Sequence, residues 1–201
     1  MANLIPTSLR PAGRPSAALA FCCALLLAAP VALAADPTDD APDKPRVEVL
    51  LDTLATSDSP QVASRIERQI LTDWSQSGSD TVDLLMEWAA QALKTKDNKR
   101  ALDYLDRVVT LAPTYPEGWN RRATVNYMMD RHGPSLSDIS RVLSLQPRHF
   151  GALHGLGLVL DEIDEEDEAL KAFRRAMEVH PFLDGAQKRI DRLSKKLDGA
   201  P

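Results

Sequence analysis

Residues 116–149 read PEGWNRRATVNYMMDRHGPSLSDISRVLSLQPRH, and the proline near their end is the middle one of three, Pro113, Pro147 and Pro181, that stand 34 residues apart. Stacking 82–115, 116–149 and 150–183 brings like residues into columns. Leu85, Trp119 and Leu153 share position 4 of the unit, and Ala89, Ala123 and Gly157 share position 8. Ala101, Ser135 and Ala169 fall at position 20, Leu105, Ile139 and Phe173 at 24, and Val108, Val142 and Ala176 at 27. A fixed period of this length marks an array of units, none of which buries its apolar face alone. From Val47 to Leu197 the apolar residues recur at helical spacing, broken only by short stretches rich in Pro, Gly, Ser and Asp, so the chain reads as helix without strand.

Each unit is expected to be a helix pair. The second helices are placed at Asp97 as an N-cap, at Gly133-Pro134 with proline in the first helical position, and at the acidic run Asp164 to Glu168, which suits a positive helix N-terminus. Past the third unit, Leu183, Ala186, Ile190, Leu193 and Leu197 line one face of a helix whose other faces are charged. Residues 184–201 are therefore expected to be a C-terminal cap helix and tail covering the last apolar face. Upstream, Val47, Leu50, Leu51 and Leu54 form one stripe, and Val62, Ala63, Ile66, Ile70 and Trp74 form another after Ser59-Pro60. Residues 46–80 lack the proline of the repeat and are expected to be a degenerate helical pair or N-terminal cap.

The columns resemble the tetratricopeptide repeat (TPR) family, with its large residue at position 4, small residues at 8, 20 and 27, and proline at 32. The resemblance covers about half of the chain. It implies an all-α fold, a right-handed α-solenoid of helix-turn-helix repeats over 81–183, with an N-terminal helical pair and a C-terminal cap helix. The small residues have a physical reason, since two helices approach closely only where facing side chains are small. The resemblance also implies a concave groove lined by positions 2, 5, 9, 12 and 13 of the first helices. Those positions are Asp83, Met86, Ala90, Leu93 and Lys94, then Glu117, Asn120, Thr124, Tyr127 and Met128, then Gly151, His154, Leu158, Asp161 and Glu162. Met86, Ala90, Asn120, Thr124, Tyr127, His154, Leu158 and Asp161 are the candidate peptide-binding residues. One subset of the family grips a C-terminal carboxylate with a Lys, Asn and Arg clamp. Met86, Ala90, Gly151 and Gly155 stand where most of those groups would be, so that activity is not carried over.

Arg122 interrupts the apolar stripe of Trp119, Ala123 and position 126. It holds position 7, where the other units carry Trp88 and Leu156, and only this unit has an acid, Asp138, at position 23. The two positions face each other across the helix pair, which predicts a structural, partly buried ion pair. A TPR subset with Asn-x-Arg in the first helix and Asp before position 24 is similar, matching Asn120-Arg121-Arg122 and Asp138-Ile139.

The N-terminus has a different character. Arg10 and Arg14 are the only charges before Asp36, an apolar run spans 17–29, and Ala32-Leu33-Ala34 ends in the small, x, small pattern of a signal peptidase site. Residues 1–34 are expected to be a secretory signal peptide cleaved between Ala34 and Ala35, giving a periplasmic bacterial protein. The same stretch approaches the length of a membrane anchor, a reading that Pro30 and the many alanines weaken. Residues 35–45, ADPTDDAPDKP, have the composition of a flexible linker. Cys22 and Cys23 both lie in the leader, so the processed chain offers no disulfide, thiol nucleophile or cysteine metal site. Two of the 24 basic residues go with the leader, leaving 22 against 29 acidic ones and a net charge of −7. That balance argues against nucleic acid or anionic membranes as partners.

The acidic run Asp161 to Glu168 lacks the glycine and alternating ligands of a calcium loop, and His132, His149, His154 and His180 lack zinc spacing. No nucleophile elbow or phosphate loop occurs, and Gly155-Leu156-Gly157 lies within a helix. The expectation is a non-enzyme without cofactor or metal: a protein-protein interaction adaptor or scaffold of the envelope, with no membrane insertion after cleavage. The alternatives are a small-molecule or metal-dependent role centred on His154, Asp161 and Glu162, and a self-association module.

Overall fold

The computed structural model describes residues 45–199, and the leader 1–34 and most of the linker 35–45 lie outside the described residues. The described residues form nine helices and no strand. The helices are α1 (Arg46–Ala55), α2 (Pro60–Trp74), α3 (Asp80–Lys94), α4 (Asn98–Leu111), α5 (Pro116–Met128), α6 (His132–Leu145), α7 (Phe150–Glu162), α8 (Glu166–Val179) and α9 (Ala186–Asp198). No helix among them is long and apolar enough to cross a membrane.

Three antiparallel pairs, α3–α4, α5–α6 and α7–α8, stack in chain order, with α4 against α5 and α6 against α7. The 34-residue period reappears in the backbone. Lys96, Asp130 and Asp164, one per unit, all turn between the paired helices with positive φ of 60°, 55° and 62°. Small residues permit the close approach within each pair. A Cβ at Gly157 would stand 2.7 Å from the ring of Phe173, so the third unit accepts its large aromatic only because position 8 has no side chain.

Asp97 caps α4, its carboxylate accepting from the Arg100 N–H at 3.1 Å. The start of α6 differs from the sequence expectation: the helix begins at His132, which makes Pro134 its third residue, not its first. The first four N–H groups of a helix have no partner within it, so proline fits anywhere in that turn and does not mark its first residue.

The last face of the stack is covered by α9. Leu193 packs into a cluster with Ala169, Leu170 and Phe173, with Ile190 and Leu197 at its edge. Asp161 receives Arg189 at 3.2 Å and also Arg192, and Lys196 pairs with Glu166, which pins the charged side of α9 to the third unit.

A cap on the first unit would bring α1 and α2 against α3 and α4. Instead Leu51, Leu54, Ala63, Ile66 and Ile70 share one core with Phe150, Leu153, Ala176 and Val179 of α7 and α8. The clusters of the first unit contain no residue of α1 or α2. Polar contacts lie around this docking. Arg148 reaches Glu48 at 3.1 Å and Asp52 at 2.8 Å, and the Tyr115 hydroxyl donates to the Ser75 carbonyl at 3.0 Å. The N-terminal pair is thus a strap over the start of α7 and the end of α8, with the Trp74 and His149 rings stacked at 4.1 Å between centroids.

Candidate functional site

The first helices α5 and α7 run side by side and leave a cavity of about 210 Å³ between them. Its walls include Asn120, Thr124 and Tyr127 from α5 and His154 and Leu158 from α7, with Ile139 of α6 at the floor. Five of the eight sequence candidates therefore meet in one place. Gly151 and Gly155 open the α7 wall, where larger side chains would narrow it.

His154 is the polar focus. Its ring leans on Phe173 with centroids 5.4 Å apart, and its Nε2 is buried without a hydrogen-bond partner among the described residues. Burial, reinforced by the positive Arg189, holds its pKa below the ordinary histidine value of 6.5. The ring is thereby kept neutral, able to donate or accept one hydrogen bond. At the rim, Tyr127 donates its hydroxyl to Glu162, and burial followed by that contact pushes its pKa up to about 12. His132 lies 3.3 Å from the same carboxylate.

The remaining candidates lie elsewhere. Met86 and Ala90 line a second cleft, together with Ser75 at the end of α2 and with Glu117 and Arg121. Asp161 is absent from the cavity walls and is held by Arg189 and Arg192 of α9. Among the described residues no three His, Cys, Asp or Glu side chains are gathered as a metal site requires.

A buried polar cluster borders the groove, and sequence reasoning missed it. Glu117 has a side chain only 7% exposed and accepts from Asn120 at 2.9 Å and from Arg121 at 2.5 Å. His149 Nε2 stands 3.4 Å from it, while His149 Nδ1 accepts from the Ala152 N–H and caps α7. Burial alone would raise the Glu117 carboxyl, but the His149 hydrogen bond and the Arg121 charge outweigh it and hold the pKa below 4.5. The signal that was available is the pairing of an acid at position 2 with histidine at the end of the same unit.

Arg122 lies across α5 and α6 on the other side of the stack. Its Nε donates to Asp138 at 2.9 Å and its Nη2 to the same carboxylate at 2.6 Å, a two-pronged contact. Asn126 adds a donor to Asp138 at 3.0 Å, Asp106 of the preceding unit takes Arg122 Nη1 at 2.9 Å, and the guanidinium covers the Trp119 ring at 4.8 Å. With Asp138 3% and Arg122 21% exposed, this group joins the first two units and leaves little guanidinium surface for a ligand.

Stacked helix pairs with a strap at one edge, a capped end and a polar-and-apolar concave cavity define a helical-repeat protein of the groove-bearing kind. No protein-family model matches the chain. A TPR repeat-containing protein of Rhizobium etli is 42% identical over 156 residues, which cover 78% of this chain and 76% of that protein. The chain belongs to the tetratricopeptide repeat family. Among solved structures, the first TPR of Spaghetti (RPAP3) bound to the HSP90 peptide SRMEEVD superposes with a TM-score of 0.58 at 20% identity, covering 60% of this chain and 96% of that one. The crystal structure of MamA gives a TM-score of 0.56 at 21% identity, covering 68% and 77%. These likenesses show the same helical-repeat fold.

Proposed function

We propose that the protein is a non-catalytic adaptor of the bacterial cell envelope that holds a peptide segment of another protein in the groove between α5 and α7. The cavity that gathers Asn120, Thr124, Tyr127, His154 and Leu158 carries this reading. At about 210 Å³ it falls below the ~300–1,000 Å³ usual for small-molecule sites, and it suits one or two side chains of a longer ligand. Asn120 and the neutral His154 can pair with a peptide backbone, while Tyr127 and Leu158 supply apolar contact. The neighbour solved with an HSP90 peptide supports a peptide as the ligand class. The leader over 1–34 supports export, with a mature start at Ala35.

Cross-linking in intact cells, followed by purification and mass spectrometry, tests the whole reading. The recovered chain is expected to begin at Ala35 and to carry one envelope protein, and that capture is expected to fall sharply with Tyr127→Ala or His154→Ala. Recovery from the cytoplasm with an intact leader would remove the location. Equal capture by folded variants would remove the groove as the site.

A further inference from the structure

Equivalent positions of the three units meet different fates. Position 3 is buried as Gly118 in the second unit and Ala152 in the third, yet Leu84 in the first is 43% exposed. At position 7, Arg122 is drawn to Asp106 of the preceding α4, while Trp88 is 46% exposed. At position 30, Val179 is buried in the core it shares with α1 and α2, and Leu111 is 59% exposed. In the second unit this face is the joint to α4: a Cβ on Gly118 would press on the Val108 side chain. The first unit has the same joint, and among the described residues no helix covers it, because α1 and α2 are docked on α7 and α8. Trp88 and Tyr104 lie together there with ring centroids 5.6 Å apart. Exposed aromatic and leucine side chains flanked by arginines are the composition of an interface centre, not of a solvated end.

We infer that this open face pairs with the same face of a second copy of the chain, about a two-fold axis. Head-to-tail stacking is blocked, since α9 seals the other end of the array. The charges fit a two-fold contact. By helical spacing, α3 carries Asp80 and Glu87 along the face, whereas α4 carries Arg100 and Arg107 with Asp103 between them, all exposed, and Arg100 also pairs with Asp97 at 3.3 Å. An isologous contact that lays α3 of one copy along α4 of the other sets acids against arginines twice, around a centre of Trp88 and Leu84.

Sedimentation equilibrium on the chain as the cell processes it is expected to show a reversible monomer–dimer equilibrium. Trp88→Glu is expected to give monomer alone, with melting kept near the parent because the side chain is half exposed. The geometry is tested by two charge-reversed chains, Asp80→Lys with Glu87→Lys, and Arg100→Glu with Arg107→Glu. Each alone sets like charges together and is expected to stay monomeric. Mixed, they restore opposite charges at both edges and are expected to form a heterodimer. A parent that is monomeric at every concentration overturns the inference. So does a dimer that survives Trp88→Glu, a mixture that stays monomeric, or a monomer whose Trp88 is shielded from a fluorescence quencher by its own strap.

Discussion

The second and third repeats share a backbone and differ in what fills it. In the second, positions 7 and 23 are Arg122 and Asp138, joined by two hydrogen bonds. In the third the same positions are Leu156 and Ala172, and the pair closes on Phe173 fitted over Gly157. One repeat is specified by charge and the other by volume. Both solutions bind residues in pairs, so the cost of a change depends on whether its partner changes too.

The largest effect is expected at the charge. Arg122→Leu leaves Asp138 buried with Asn126 as its remaining side-chain donor, and should cost about 3–5 kcal/mol. Arg122→Leu with Asp138→Leu should recover most of that loss, because no lone charge stays buried. Thermal and urea unfolding of the two single variants and the double variant read the coupling directly. Additive losses would mean that the pair is not the unit of stability in this repeat.

A smaller loss is expected at the volume. Gly157→Ala places a methyl about 2.7 Å from the Phe173 ring, and the overpacking should outweigh the better helix propensity of alanine, for a net cost of roughly 1–2 kcal/mol. Adding Phe173→Leu makes room and should return part of it. If Gly157→Ala is as stable as the parent, the third repeat has more slack than the second.

The strap offers a pH-dependent version of the comparison. The Glu117 carboxylate lies 3.4 Å from the His149 on which Trp74 stacks, and its folded pKa is below the ordinary 4.5. Its stabilisation is therefore fully present above about 4.5 and is lost as pH falls through the folded value. Acid unfolding of Glu117→Gln should begin from a lower stability and depend less on pH in that window. Parallel curves for the two chains would separate the carboxylate from the docking of the strap.

The period of the array is legible because its reasons are local: a proline every 34 residues, small residues where helices touch, and apolar stripes at helical spacing. The groove candidates Asn120, Thr124, Tyr127, His154 and Leu158 lie together for the same reason, each being fixed by its position in the repeat. Other features have causes that are not local. The stripe of Leu51, Leu54, Ile66 and Ile70 says that these residues are buried and not what buries them, so nothing in it distinguishes α3 from α7 as its partner. Glu117 and Asp161 hold positions that face the groove, but Glu117 is held by His149 from the end of the same repeat as well as by Asn120 and Arg121, and Asp161 is held by α9. Arg122 was legible only as half of a pair, and its third contact, Asp106, belongs to the repeat before.

The smallest expected effect is at His154, and it bears on what the groove takes. Burial and Arg189 place its folded pKa below 6.5, so above that pH the ring is neutral whether the chain is folded or not. As pH drops below 6.5 the unfolded state takes up a proton that the folded state resists, and stability declines toward the folded value. His154→Ala should flatten this decline in the melting temperature. A peptide that sets a carboxylate against Nε2 reverses the preference, because a negative neighbour favours the imidazolium. Its affinity should then rise as pH falls below 6.5 toward the folded value, and the rise should vanish in His154→Ala. A peptide that offers only apolar side chains should bind no better in acid, since protonation then costs the bound state at least as much as the free one. Calorimetric titration of one peptide above and below 6.5, into both chains, separates the two kinds of ligand. It does so even where the variant binds more weakly throughout, because the quantity compared is the change with pH.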